Sequence, residues 1–427
     1  MIKKISILVL VFICMQGVSQ KLNSSPYSSL GIGDLVSERS VEEMSMGGVS
    51  TSGGDIFNFN LNNPASFSSL IFTTFTIAGE NRAYSFKDVT NNDNSSNAFL
   101  SYVAIGIPIG PKGGFAFGLQ PKSTTGYSIG NFISDGNNEP LETTLYEGNG
   151  GLNQVFLGGG YEIFKGFSLG IEGKYVFGNI ENSIVNQKKD VQLATKYTSK
   201  SEIGGFTLEG GAIYHKKLKK NLFLNFGVKI GFESNLDSDG SEYLYSVNVG
   251  AVETPRDTIL SKQTKGSYKT PLSTSLGFSM GKTNKWSAGI DYSFRDAIKQ
   301  SGSLNDFNPN LAYQNASTVA VGGYFIPRYN SISSYWERVI YRWGFNVEQT
   351  GMMVNGQGGA NKFTPIDKLG ISFGVGLPVG AQLSRLNLGF EFGKRGTTDN
   401  GLVEEKFFNF RLGLTLSNKW FKPRRIN

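Results

Sequence analysis

Phe407-Phe408-Asn409-Phe410-Arg411-Leu412-Gly413-Leu414-Thr415-Leu416-Ser417 is the stretch whose reading decides the fold. Every even position is large and apolar, and every odd position from Asn409 onward is polar or glycine. Side chains alternate across a strand, so Phe408 to Leu416 form an apolar face and Asn409 to Ser417 a wet one. A soluble sheet with one buried face shows the same alternation. Recurrence separates the two cases: the pattern returns about fourteen times, with connections that alternate short and long, as in a transmembrane β-barrel.

Five earlier copies are nearly as clear. Phe167, Leu169, Ile171, Tyr175 and Phe177 alternate with Glu172, Lys174 and small residues. Phe226, Val228 and Ile230 alternate with Gly227 and Lys229, and Ile290, Tyr292 and Phe294 with Asp291 and Arg295. Tyr341, Trp343 and Phe345 flank Arg342 and Gly344, and Phe390 and Phe392 flank Glu391. Each runs about ten residues, the length a tilted strand needs to cross a bilayer. Weaker copies fall near 71–86, 97–108, 115–128, 146–161, 203–215, 268–280, 316–326 and 363–377, with the last copy at 404–417. An even count puts both ends on one side of the membrane.

Connection lengths test the count. Short turns are expected near Gly110–Gly114, Ile163–Gly166, Lys216–Lys220 and Gly281–Lys285. Long polar external loops are expected near 129–145, 179–202, 234–267 and 296–315. Pro327–Arg338 is too long for a minimal turn and is expected to carry a small structure on the periplasmic side.

The N-terminus reads as a secretory signal over 1–19. Lys3 and Lys4 precede the apolar run Ile5–Ile13, and Gly17-Val18-Ser19 offers a cleavage site before Gln20. The apolar run is well short of the ~20 residues of a spanning helix. Cys14 is the single cysteine and lies inside this segment, so the mature chain is expected to lack disulfide and thiolate chemistry. Residues 20–70 lack strand periodicity and are rich in Ser, Gly and Asn. The 427 residues carry 32 Phe, 18 Tyr, 55 Gly and 13 Pro, which excludes a disordered or collagen-like chain. The formal charge of +7 is spread without a basic cluster, so no nucleic-acid partner is expected. Residues 418–427 form a basic tail in which Trp420, Phe421, Lys422, Arg424 and Arg425 fit a headgroup girdle.

The inward-facing charges Glu172, Lys174, Lys229, Asp291, Arg295, Arg342, Glu391 and Arg411, with Glu209, Glu233, Glu348 and Arg385, imply a polar lumen. They read as ion-selective rings or as cross-strand pairs and plug anchors, and the second reading is preferred. His215 is the only histidine and is expected at a rim, outside any catalytic arrangement. With one histidine and no mature cysteine, neither a metal site nor a cofactor is expected. Asn235–Gly240 echoes a calcium loop, but it lacks the opening aspartate and the closing glutamate, and reads as a polar loop. Pro121, with Lys122 and Ser123, lies within the third strand. A proline there marks an edge, a bulge or a gap, or the strand's end at an external rim.

Asn63-Pro64-Ala65, following Met46-Gly47-Gly48 and standing just before the first strand, carries a family resemblance. With Gly118–Pro121, the Tyr146–Gly151 run, Phe390–Thr397 and the Trp420-Phe421-Lys422 end, the whole mature chain resembles the FadL-type outer-membrane transporters of hydrophobic compounds. It looks like their Bacteroidota branch, which includes PorV-type subunits. The resemblance implies an all-β transmembrane antiparallel barrel over 71–417, filled by an N-terminal plug that ends in Asn63, Pro64 and Ala65. It also implies a lateral opening at the third strand, for which Pro121, Lys122 and Ser123 are the candidates. Arg411, Gly413 and Leu416 look like an assembly signal read by the barrel assembly machinery during insertion. The implied location is the outer membrane, with both termini periplasmic and lipid as the surrounding partner. Two functions follow: passive transport of a fatty-acid-like molecule, or service as a barrel subunit docking protein partners, as in type IX secretion or other assembly machinery. Neither is an enzyme.

Overall fold

Fourteen antiparallel strands close on themselves. The structure, a computed structural model, describes residues 25–53, 59–88, 92–135, 139–248, 254–302, 309–356, 362–380 and 384–418. The signal assigned to 1–19 and all but the first residue of the tail at 418–427 lie outside the described residues. Strands β1 to β6 are Thr73–Lys87, Asn92–Ile109, Gly113–Ser134, Pro140–Phe164, Phe167–Lys188 and Ala194–Lys217. Interrupted strands follow. β7 is Leu222–Gly231 with Ser234–Asn248, β8 is Thr254–Thr270 with Ser273–Lys282, β9 is Trp286–Arg295 with Lys299–Ser301, and β10 is Leu311–Tyr313 with Ala316–Phe325. Strands β11 to β14 are Ile340–Asn355, Phe363–Pro378, Arg385–Arg395 and Glu404–Asn418. The ladder from Glu404–Lys87 to Asn418–Thr73 joins β14 to β1 and removes the sheet's edges at the closure. Among the described residues no helix is long and apolar enough to cross a membrane. The chain crosses with strands.

The alternation in β14 is oriented as its sequence implies. Asn409, Arg411, Thr415 and Ser417 are buried, whereas Phe408 and Leu416 are exposed on the outer wall. The same parity holds in β5, where Glu172 and Lys174 are buried between the exposed Ile171 and Tyr175. Outer aromatics pair across strands, as Phe226 does with Phe278 and Phe392 with Phe408. At the end where the chain enters and leaves the barrel, turns are tight. Gly166 (φ 85°) and Asn284 (φ 59°) take the left-handed conformation those turns need.

The opposite end departs from expectation. The spans 129–145, 179–202 and 234–267, expected as long polar loops, are mostly strand. β4 runs 25 residues and β6 runs 24, over twice what a bilayer requires. Beyond the membrane both faces of a strand meet water, so the apolar alternation disappears from the sequence while the ladder still satisfies the backbone. Asn235–Gly240 is accordingly strand, not loop. The fourth span, 296–315, holds the short strands Lys299–Ser301 and Leu311–Tyr313, and 303–308 lies outside the described residues. The Pro327–Arg338 connection holds a single 3-10 turn at Trp336–Arg338, pinned by the Tyr335 hydroxyl donating to the Pro378 carbonyl at 3.0 Å.

Candidate functional site

Residues 41–53 and 59–70 lie along the inner wall. Val41 lies against Gly413 of β14, Ser45 against Gly374 and Gly389, and Met46–Gly47 against Gly322 and Gly344. Thr51 meets Gly227, Pro64–Ala65 meets Gly160 and Gly170, and Phe67 meets Gly114. Every strand except β1 contributes such a glycine, and several pair directly: Gly114 with Gly160, Gly160 with Gly170, Gly170 with Gly211. A Cβ at Gly344 would fall on the Gly47 amide, and one at Gly322 on the Met46 carbonyl. Glycine is what allows a second backbone to lie on the wall at van der Waals contact. On β1 the small Ala78 takes the same part, packed with Val41, Phe59 and Phe67.

Polar groups fix the winding. Asn63 caps the 3-10 turn Pro64–Ser69, accepting from the Ala65 amide at 3.1 Å. Its side-chain amide donates to the carbonyls of Thr51 at 2.7 Å and of Val228 at 3.2 Å, tying the segment to β7. Asp291 of β9 accepts from the Ser50 and Thr51 amides at 2.8 and 2.7 Å. Ser40 and Glu43 form a reciprocal capping box on the one-turn helix Val41–Met44. Burial pushes the Glu43 carboxyl up to about 8, against the lowering effect of the Ser40 amide and Arg39.

Above this turn of chain the lumen is charged. Lys174 contacts Glu38 at 2.5 Å, Glu209 at 2.8 Å and Glu172 at 3.4 Å, and Lys229 joins Glu209 at 2.8 Å. Lys122 closes on Glu38 at 2.5 Å. Burial alone would raise Glu38, but Lys122, Lys174 and Lys229 hold its carboxylate well below the usual range. A second network crosses the closure: Arg411 of β14 contacts Glu391 of β13 at 2.7 Å and Glu80 of β1 at 3.0 Å. Arg82 contacts Glu80 at 2.8 Å and Asp34 at 3.4 Å, and Arg395 contacts Asp34 at 2.6 Å and Glu405 at 2.9 Å. Between the networks lies a cavity of about 380 Å³ lined by Asp34, Glu38, Arg82, Lys122, Lys229 and Arg395, among others. Arg295 lines it too, donating to the Thr350 carbonyl at 3.0 Å, and Arg342 donates to Asn387 at 3.1 Å. All eight charges singled out in the sequence face inward; of the four others named with them Glu233 does not. It is exposed beside the break in β7 and pairs with Lys269 outside. The partners that sequence reasoning missed are Asp34, Glu38, Glu80, Arg82, Arg395 and Glu405. Glu80 and Arg82 sit at the inward parity of β1 and were findable. Asp34 and Glu38 lie where no periodicity exists to orient them.

At Pro121 the wall divides. The ladder between β2 and β3 runs from Ile109–Gly113 to Val103–Leu119 and stops two residues before Pro121. Opposite β4 the register shifts between Pro121 and Ser123, so Gln120 and then Ser123 face inward. The edge that β3 loses from β2 is taken by the N-terminal segment: Asp34 pairs with Thr124, Leu35 with Ser123, and the Val36 amide donates to the Lys122 carbonyl at 3.0 Å. Ser28 bonds Gly126 just beyond.

The remaining candidates are placed simply. His215 sits at the end of β6 on the turn side, its Nδ1 2.6 Å from the Asn225 amide oxygen, with no carboxylate contact among the described residues. Gly413 faces the winding segment, and Leu416 faces outward. Among the described residues no group of His, Cys, Asp and Glu could hold a metal ion.

A family model described as BamG matches residues 1–427. Among curated proteins none matches the chain. Solved structures share the fold at low identity. A Pseudomonas aeruginosa FadL homologue superposes with a TM-score of 0.60 at 12% identity, covering 90% of this chain and 99% of its own. The Pseudomonas putida toluene transporter TodX gives 0.56 at 14%, with 91% and 100% covered. The Ralstonia pickettii toluene transporter TbuX gives 0.55 at 14%, with 94% and 100% covered.

Proposed function

The chain belongs to the BamG family, and from its filled lumen we propose that it is a fixed barrel subunit of an outer-membrane assembly machinery. It is an outer-membrane β-barrel of the FadL-like fold. One observation carries the proposal: backbone of the N-terminal segment lies directly on wall glycines of seven strands (β3, β4, β5, β7, β8, β10 and β11), and its side chains lie on glycines of the other six beyond β1. A solute passing through would have to displace buried backbone and the ions tied to it, including Glu38 and Asp291. Burying charges is costly unless each stays paired, which holds the segment in place. The Bam designation of the family points the same way. In this reading both termini are periplasmic, residues 25–53 and 59–70 are a permanent core, and Asn63-Pro64-Ala65 is its anchor.

A second reading has its own observation. The wall divides at Pro121, so an apolar molecule could leave the space above the plug sideways, and partition into the bilayer would be downhill. The cavity there mixes charged side chains such as Arg82, Lys122 and Arg395 with apolar ones such as Ile32, Ile298 and Ile366, so a fatty-acid-like solute would lie partly against ions.

Purification from native membranes in mild detergent separates the two. A subunit comes off with outer-membrane proteins in fixed stoichiometry. Recovery as a lone barrel loaded with lipid or another apolar molecule would overturn the subunit reading in favour of transport.

A further inference from the structure

Beyond the membrane the six strands β3 to β8 continue as one rising sheet. β3 pairs with β4 up to Ser134–Pro140, β5 with β6 up to Asn186–Thr195, and β6 with β7 up to Ala194–Val247. β7 pairs with β8 up to Asn248–Thr254. The remaining strands do not follow, so this rim has two lateral edges. On one side the rim part of β8, Thr254–Thr270, meets β9 only at Ser267–Lys269. On the other, β3 parted from β2 at Leu119.

An open sheet edge is a template for strand addition, and proteins guard such edges with proline, bulges and charge. The β8 edge is guarded in all three ways. It carries Pro255, register shifts at Pro255–Asp257 and Thr258–Leu260, and the charges Arg256, Asp257, Lys262 and Lys265. The β3 edge is bare. Ser128-Ile129-Gly130-Asn131-Phe132-Ile133-Ser134 holds no charge and no proline, and its one register shift comes at the last step, Ile133–Ser134. Every one of these residues is exposed, Phe132 at 66% and Ile133 at 51%. Among the described residues it has no strand on its outer side. Directly below, the same edge already accepts strand addition from Asp34–Leu35.

We propose that Ser128–Ser134 of β3 is a docking edge for an extended, uncharged segment of another polypeptide, which extends the strand addition begun by Asp34–Leu35. Backbone hydrogen bonds would supply affinity, and Ile129, Phe132 and Ile133 would supply the apolar contact that selects the partner. The inference rests on the reading of the chain as a subunit, and it names the surface through which the subunit is held.

The test uses the full chain in its own outer membrane. Asn131→p-benzoylphenylalanine is irradiated in intact cells, with Ser261→p-benzoylphenylalanine on the guarded β8 edge as control. The expected result is a cross-link from position 131 to a different polypeptide and none from 261. The double variant Ile129→Lys, Phe132→Lys should lower the co-purified partner at least roughly tenfold, equivalent to about 1.4 kcal/mol. Its heat-modifiable mobility should be unchanged, because these side chains project beyond the barrel wall. A partner retained by the double variant, a cross-link only to a second copy of this chain, or equal cross-linking at 261 would overturn the docking edge while leaving the subunit reading intact. A wild-type barrel that purifies alone overturns both.

Discussion

Gly344 shows how much a single hydrogen can decide. An added Cβ would fall on the Gly47 amide, and backbone cannot step aside as a flexible side chain can. Gly344→Ala should therefore destabilise by about 1–3 kcal/mol through overpacking. Gly173, where nothing lies within 4 Å of the added atom, is the control. Alanine there should be neutral or gain about 0.5–1 kcal/mol from lower chain entropy. Urea unfolding in detergent reads both, and equal responses would remove the close approach on which the filled lumen depends. Glu43 gives a pH signature. Its folded value of about 8 stands above the ordinary 4.5, so the folded state holds the proton more tightly. Its contribution is complete below about 4.5 and is lost as pH rises toward 8. Hydrogen exchange of the Val41–Met44 turn should accelerate over that window, and Glu43→Gln should flatten the trend. Glu38 runs the opposite way: its depressed value makes its contribution present above the ordinary carboxylate range and lost in acid. Neither carboxyl could be oriented from sequence, because a segment without periodicity gives no face to assign.

For a strand, alternation is the whole argument, and it can be tested by parity. Phe226 lies on the outer wall at 49% exposure, and Gly227 is pressed against Thr51. Arginine at Phe226 should cost about 2–4 kcal/mol if the position meets the bilayer midplane. Arginine at the exposed rim residue Ser261, beyond the lipid, should be tolerated within about 0.5 kcal/mol. Refolding into vesicles compares the two, and equal tolerance would contradict the membrane placement. The strand cores were legible because lipid imposes the alternation on one face. The strand extensions were not, since no solvent contrast marks them and only pairing between neighbours decides that β4 and β6 continue. The split at Pro121 was half legible. The proline announces an irregularity, but whether β2 leaves, and what fills the vacated edge, depends on a segment nearly ninety residues earlier in the chain.

At the closure, inside the β14–β1 ladder, Arg411 bridges Glu391 on β13 and Glu80 on β1. Arg411→Met should cost about 3–5 kcal/mol, because two carboxylates lose their shared cation while still buried. Replacing all three with apolar residues of similar volume should recover much of that loss. Heat-modifiability on gels follows both, and no recovery in the triple variant would mean the network has a further role. In planar bilayers the intact protein should give no steady conductance, and a stable open level would contradict the proposed filling of the lumen by the N-terminal segment. The sequence by itself determined the strand cores, their facing and the even-numbered closed barrel, because a bilayer writes a period of two into every crossing. It also marked, by abundance alone, that glycine mattered. Only the tertiary structure decided that those glycines lie against the N-terminal segment, that the inward charges of distant strands pair with one another and with Asp34 and Glu38, and that among the described residues β3 carries an edge without a neighbour. Each of these is set by contact between residues far apart in the chain, and no local pattern records it.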